Sequence, residues 1–223
     1  MRAMKNVSIP RQGLQGERWT IERGEGSMKA IRFAQEEDAG KILAIYEPYI
    51  KETAVTFEYR TPTLDEFSKR IRDISKDYPY LVCVSEESII GYAYAHKHME
   101  RDAYQWNAEL AVYINKNYCR CGIGETLYGA LMDILRLQNV RNVYRGVTLP
   151  NTSSEKLHEH LGFKKLGVYH DAGYKCGLWH NVAWYEKGIS HHDLKPAPFV
   201  SFYKIDKETV LEILGRYSEY LNS

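Results

Sequence analysis

The chain has 223 residues, with 30 Lys and Arg against 29 Asp and Glu and a formal net charge of +1. Such a length buries one full core without splitting into two complete domains, and so small a charge gives no global field toward nucleic acid or an anionic membrane. With no apolar run long enough to span a bilayer and no hydrophobic signal segment at the N-terminus, the expectation is a cytoplasmic protein with a small-molecule partner, its cysteines (83, 119, 121 and 176) remaining thiols.

Residues 1–27 are polar and Gly-containing, without helical or strand periodicity, whereas "MKAIRFAQ" from Met28 alternates as a strand. "RGEGSM" is also what a purine-rich ribosome-binding sequence before a start codon would encode. The domain is therefore expected over 28–189, with 1–27 either a misassigned start or an unstructured leader. Asp38–Ile50 and Leu64–Ile74 carry apolar residues at helical spacing. "YLVCVSE" and "SIIGYAYAHKH" read as a hairpin and "QWNAELAVYIN" as a third strand. A long amphipathic helix runs from Ile123 to Leu135, "VYRGVTL" is a strand, and Ser153–Leu161 is a helix with Thr152 and Glu155 as a capping box and Gly162 at its end. "KKLGVYH" and "WHNVAWYE" close an α/β fold, a mixed central sheet flanked by helices on both faces. Beyond "KPAP", 190–223 forms an extension with one helix, Lys207–Leu221, which docks on its own domain or on a second subunit.

"CRCGIG" at 119–124 sets two thiols beside two glycines. Zinc needs about four ligands in closely spaced pairs. Cys119 and Cys121 form only a C-x-C, which Cys176 and the pair His191 and His192 would have to complete, so no metal is expected. A redox pair would need one more residue between the thiols. A strand, a polar turn and two glycines opening a helix suit an anion better: glycines admit close backbone approach, the first helical N–H groups point at the ligand, and Arg120 adds a charge. A plain tight turn would use the same glycines.

Glu109 interrupts a strand whose residues Trp106, Ala108, Leu110, Val112 and Ile114 share an apolar face. A carboxylate there either works, as a base whose pKa burial raises, or is satisfied by an Arg or by an exposed edge.

The element order and Cys119-x-x-Gly122-x-Gly124 resemble the GCN5-related N-acetyltransferase (GNAT) family, whose signature has Gln or Arg where Cys119 stands. "AYQWNAELAVYI", "LPNTSSEKLHEHLGF" and "AGYKCGLWHNVAWYEK" look like its phosphinothricin and methionine sulfoximine acetyltransferase branch, over about Met28–Lys187. The resemblance implies acetyl-CoA as co-substrate, a small amino-acid-like amine as acceptor, direct transfer in a ternary complex and a homodimer. It implies that the coenzyme is held by Val112, Tyr113, Ile114, Arg120, Cys121, Gly122, Ile123, Gly124, Glu125 and Asn151. It assigns Glu109 as base and His158 as the acid that protonates the departing thiolate, although His158 also fits a surface helical histidine. For the acceptor it points to Phe57, Arg101, Tyr104, Lys175 and Trp179. A peptide N-terminus or polyamine as acceptor, or a non-catalytic acyl-CoA sensor, are the alternatives; a sensor would need neither Glu109 nor His158.

Overall fold

Each face of one sheet supplies its own apolar core, and together they set the architecture seen in the computed structural model, which describes residues 28–223. The expected leader, 1–27, lies outside them. In chain order the elements are β1 (Lys29–Phe33), α1 (Ala39–Glu52), α2 (Leu64–Ser75), β2 (Tyr80–Ser85), β3 (Ser88–Lys97), β4 (Asn107–Ile114), α3 (Ile123–Leu137), β5 (Asn142–Thr148), α4 (Thr152–His160), β6 (Lys164–Lys175), β7 (Leu178–Gly188) and α5 (Lys207–Tyr220). The sheet order is β1-β2-β3-β4-β5-β7-β6, and every neighbouring pair is antiparallel except the parallel β4 and β5.

Helices α1 and α2 cover one face, where Ile42, Phe67 and Ile71 pack against Tyr80, Tyr92 and Tyr113. A capping box starts α2: the Thr63 hydroxyl accepts from the Glu66 N–H at 3.2 Å and the Glu66 carboxylate accepts from the Thr63 N–H at 2.8 Å. The other face packs on α3, whose Leu127, Leu131, Ile134 and Leu135 are all fully buried. At roughly 2 kcal/mol for each such side chain, this stripe supplies on the order of 8 kcal/mol before the entropy of ordering the chain is subtracted.

The C-terminal extension docks on its own domain. Helix α5 buries Val210, Ile213 and Leu214, and its Tyr217 ring lies so close to Gly129 of α3 that a Cβ there would fall 2.5 Å from the ring. The Ser218 hydroxyl accepts from Ile31 N–H at 2.9 Å, and the Asn222 amide accepts from Lys29 N–H and donates to Lys29 carbonyl, so α5 closes the outer edge of β1. Between β7 and α5, Val200 exchanges backbone and side-chain bonds with the fully buried Gln138, which ties the extension into the main core.

Three expectations shift locally. Asn151, not Thr152, caps α4, its side-chain oxygen accepting from Ser154 N–H at 3.1 Å. Strand β6 runs on to Lys175, with register breaks against β7 and Asp171 in the left-handed region (φ 50°). Trp106 lies outside β4, its indole N–H donating to the Ala197 carbonyl at 2.7 Å.

Candidate active site

The parallel ladder between β4 and β5 joins only Asn107 to Asn142, Ala108 to Val143 and Glu109 to Tyr144. Both strands continue, to Ile114 and Thr148, but diverge. The divergence opens a cleft of about 750 Å³, with Val112 and Ile114 on one wall and Gly146, Val147 and Thr148 on the other. Beyond Leu110 the edge of β4 that faces β5 has no strand against it, and an extended ligand can pair there.

The CRCGIG turn stands at the mouth of this cleft. Arg120 (φ 64°) and Gly122 (φ 72°) both take left-handed backbone, a conformation that costs glycine nothing, and Gly122 is the N-cap of α3. The first helical bond runs from Thr126 N–H to the Gly122 carbonyl at 3.0 Å, so the N–H groups of Ile123, Gly124 and Glu125 precede it and lack an intrahelical acceptor. A Cβ at Gly122 would meet nothing within 4 Å, so the space beside this residue of the turn is open. Arg120, Gly122, Ile123, Gly124, Glu125 and Asn151 all line the cleft. Cys121 is exposed and outside the lining, and the Tyr113 side chain turns to the α1 face, where its ring meets Tyr46 and Tyr49 edge-on. Among the described residues no group of three or more His, Cys, Asp or Glu side chains is arranged to hold a metal ion.

Glu109 occupies the last paired position of β4, at the root of the divergence. By the pleat it faces the side opposite Leu110. Its side chain is 19% exposed, with Oε2 3.7 Å from His98 Nδ1. The His98 ring stacks on Tyr144 at 4.2 Å and meets Trp184 edge-on, which fixes it beside the carboxylate.

His158 is fully buried and lines the cleft. Its Nδ1 is 2.7 Å from the Ser154 carbonyl, an acceptor only, so the proton sits on Nδ1 and Nε2 carries the lone pair. Burial, reinforced by the nearby Arg145 charge and only partly offset by the Ser154 bond, pulls the pKa from 6.5 to about 4. The surface-histidine alternative is thereby overturned, and the acid role implied by the resemblance meets an obstacle: at neutral pH Nε2 has no proton to give.

Of the residues assigned to the acceptor, Phe57 and Lys175 come together. The loop between α1 and α2 is anchored by Glu58, which accepts from Tyr46 and Arg70 at 3.0 and 2.7 Å, and it lays Phe57 against Gly173 while Thr56 accepts from Lys175 Nζ at 2.6 Å. Trp179 stands on the same β6–β7 hairpin, 62% exposed against Tyr174. Arg101 and Tyr104 are exposed in the β3–β4 loop.

Sequence reasoning passed over Arg145 and Tyr128. Arg145 stands on the apolar face of β5 between Val143 and Val147, where a charge is out of place, and that signal was available. Tyr128 reads only as part of an amphipathic helix, and its place in the cleft needs the fold.

Residues 31–207 match the Acetyltransferase (GNAT) domain. The chain belongs to the GNAT acetyltransferases. Among its GNAT relatives, the phosphinothricin N-acetyltransferase of Streptomyces viridochromogenes is 34% identical over 168 residues, 75% of this chain and 90% of the relative. The L-methionine sulfoximine/L-methionine sulfone acetyltransferase of Salmonella typhimurium is 28% identical over 73% of this chain and 95% of its own length. The crystal structure of a GNAT phosphinothricin acetyltransferase from Sinorhizobium meliloti in complex with acetyl-CoA superposes with a TM-score of 0.72 at 26% identity, covering 78% of this chain and 98% of that one. The family match ends at Lys207, the first residue of α5.

Proposed function

We propose that the protein transfers the acetyl group of acetyl-CoA to the amine of a small amino-acid-like acceptor of the phosphinothricin or methionine sulfoximine type. The observation that carries this is the diverging pair β4 and β5, with unpaired helical N–H groups at its mouth and Glu109 at its root. The donors of Ile123, Gly124 and Glu125, with the Arg120 charge, suit a pyrophosphate. The open edge of β4 over Val112–Ile114 and the Asn151 amide suit the polar arm that follows. Acetyl-CoA, when bound, supplies the acetyl group as an activated thioester.

An amine with a pKa near or above ~8 is mostly protonated at neutral pH, and Glu109 takes its proton. Phe57, Lys175 and Trp179 enclose the acceptor from the loop and hairpin above the sheet, with Arg101 and Tyr104 reaching it from the β3–β4 loop. Arg101 is the side chain shaped to hold a carboxylate in two-point contact. The proposal includes a cytoplasmic protein that forms a homodimer, the dimer on the strength of the family resemblance; sedimentation at twice the 25.9 kDa chain mass is the check of the dimer.

Thiol release from acetyl-CoA, measured with phosphinothricin, methionine sulfoximine, a polyamine and a peptide with a free N-terminus, tests the reading. Turnover with the first two is expected. Turnover confined to the peptide or polyamine would reassign the acceptor, and none with any amine would make the protein a sensor.

A further inference from the structure

The inner end of the cleft holds three polar groups without ordinary partners. Arg145 projects from β5 where the ladder stops, and one guanidinium nitrogen donates at 3.2 Å to the Leu110 carbonyl, a group that β5 no longer reaches. No carboxylate among the described residues pairs with it. Tyr128 of α3 and His158 of α4 stand edge-on, ring centroids 5.6 Å apart, both wholly buried, and neither the Tyr128 hydroxyl nor His158 Nε2 has a hydrogen-bond partner. All three side chains line the cleft.

A half-buried guanidinium with no counter-charge beside it and an orphaned O–H donor both gain from an added acceptor, and an anion serves both. The other groups facing Arg145 do not cancel its charge. Tyr94 of β3 and Tyr128 are neutral phenols, burial holding both hydroxyls above their ordinary pKa, and Tyr113 of β4 stands near them. His158 is neutral, burial holding its pKa near 4, and Glu109, on the opposite face of the sheet, attracts Arg145 without forming an ion pair with it. At the cleft mouth the Glu125 carboxylate lies 3.3 Å from His160 Nε2. We propose that Arg145 and Tyr128 form a thiolate-holding site, in which free coenzyme A is bound as its thiolate, with the Arg145 charge and the Tyr128 O–H on the sulfur. This rests on the cleft being the acetyl-CoA site. It assigns the leaving sulfur to these two residues, while His158, with a lone pair at Nε2, takes no part as proton donor. The proton balance is explicit: coenzyme A enters as a thiol, S–H ionises, and one proton passes to the buffer.

The test counts that proton. Calorimetric titration of the full chain at pH 7.0, in buffers of different ionisation enthalpy, should show coenzyme A releasing most of one proton more than desulfo-coenzyme A or acetyl-CoA releases. Between the bound and free thiol pKa values, the latter about 8.5 by analogy with cysteine, coenzyme A affinity should rise up to tenfold per pH unit. Arg145→Met should abolish both effects, leaving acetyl-CoA affinity within about threefold, and Tyr128→Phe, which deletes only the hydroxyl, should weaken them. Arg145→Lys keeps the charge and should retain part of the proton release. Equal proton counts for coenzyme A and the desulfo analogue would overturn the proposal and leave a neutral thiol donating to His158 Nε2. An undiminished excess in Arg145→Met would overturn it too, as would a loss confined to acceptor KM, which would make Arg145 an acceptor-carboxylate site. Failure of acetyl-CoA to bind at all would defeat the functional reading along with this one; acetyl-CoA binding and turnover without the proton excess would defeat this one alone.

Discussion

Replacing His158 by Phe should make the protein less sensitive to mild acid. The imidazole is fully buried and its pKa falls from the ordinary 6.5 to about 4, chiefly by burial. Between those values the unfolded chain carries a proton on this ring that the folded protein refuses, so stability is complete above pH 6.5 and drains away as pH falls toward 4. At ~1.4 kcal/mol per pH unit, the loss from this one group is about 2 kcal/mol by pH 5 and about 3 kcal/mol near pH 4. Urea unfolding of both proteins at pH 7 and pH 5 reads it directly. With a slope on the order of 2 kcal/mol per molar urea, the midpoint of the parent should fall by about 1 M more than that of His158→Phe. The absolute stability of the variant does not matter, because the comparison is between its own two pH values. Parallel falls in the two proteins would mean that the ring is protonated when folded, and the assignment of a lone pair to Nε2 would go with it.

Glu109→Gln should lower turnover by about 10² to 10⁴ while leaving acetyl-CoA affinity unchanged in calorimetry; unaltered kcat would remove Glu109 as base. Arg101→Ala should cost roughly 2 to 4 kcal/mol in kcat/KM for phosphinothricin and nothing for an amine without a carboxylate, and equal losses would assign Arg101 to the loop. Replacing Cys119 and Cys121 together by Ser should keep acetyl-CoA affinity within about tenfold, because backbone amides and Arg120 carry the anion; zinc bound stoichiometrically by the parent and lost in the double variant would contradict this. Gly129→Val should lower stability by about 1 to 3 kcal/mol by pushing the Tyr217 ring off α3, and adding Tyr217→Ala should return part of it in a double-mutant cycle.

The helices and strands were legible because their apolar periods match the two faces of a buried sheet, as with Phe67 and Ile71 on α2 or Leu127 and Leu131 on α3. The glycine turn and Glu109 were legible for the opposite reason, each breaking the local pattern. What stayed hidden depends on partners distant in sequence. The Trp106 indole answers to Ala197, and β6 continues through "HDAG" because β7 pairs with it across a register break. The cap of α4 was misplaced by one residue because Thr152 and Asn151 are both good caps and only the backbone decides between them. The tautomer of His158 rests on the Ser154 carbonyl one turn earlier, a contact that presupposes both the helix and the burial of the ring.

The clasp between β1 and α5 bears on how the protein is made. Ile31 and Lys29 find their outer partners in Ser218 and Asn222, 187 and 193 residues later. On the ribosome, the outer edge of β1 therefore waits for Ser218 and Asn222 to be synthesised, long after β2 is available to pair with its inner edge. A nascent chain halted before Ser218 carries an open strand edge that can recruit another such chain, and closing it is among the last events of folding because so long a loop must first come together.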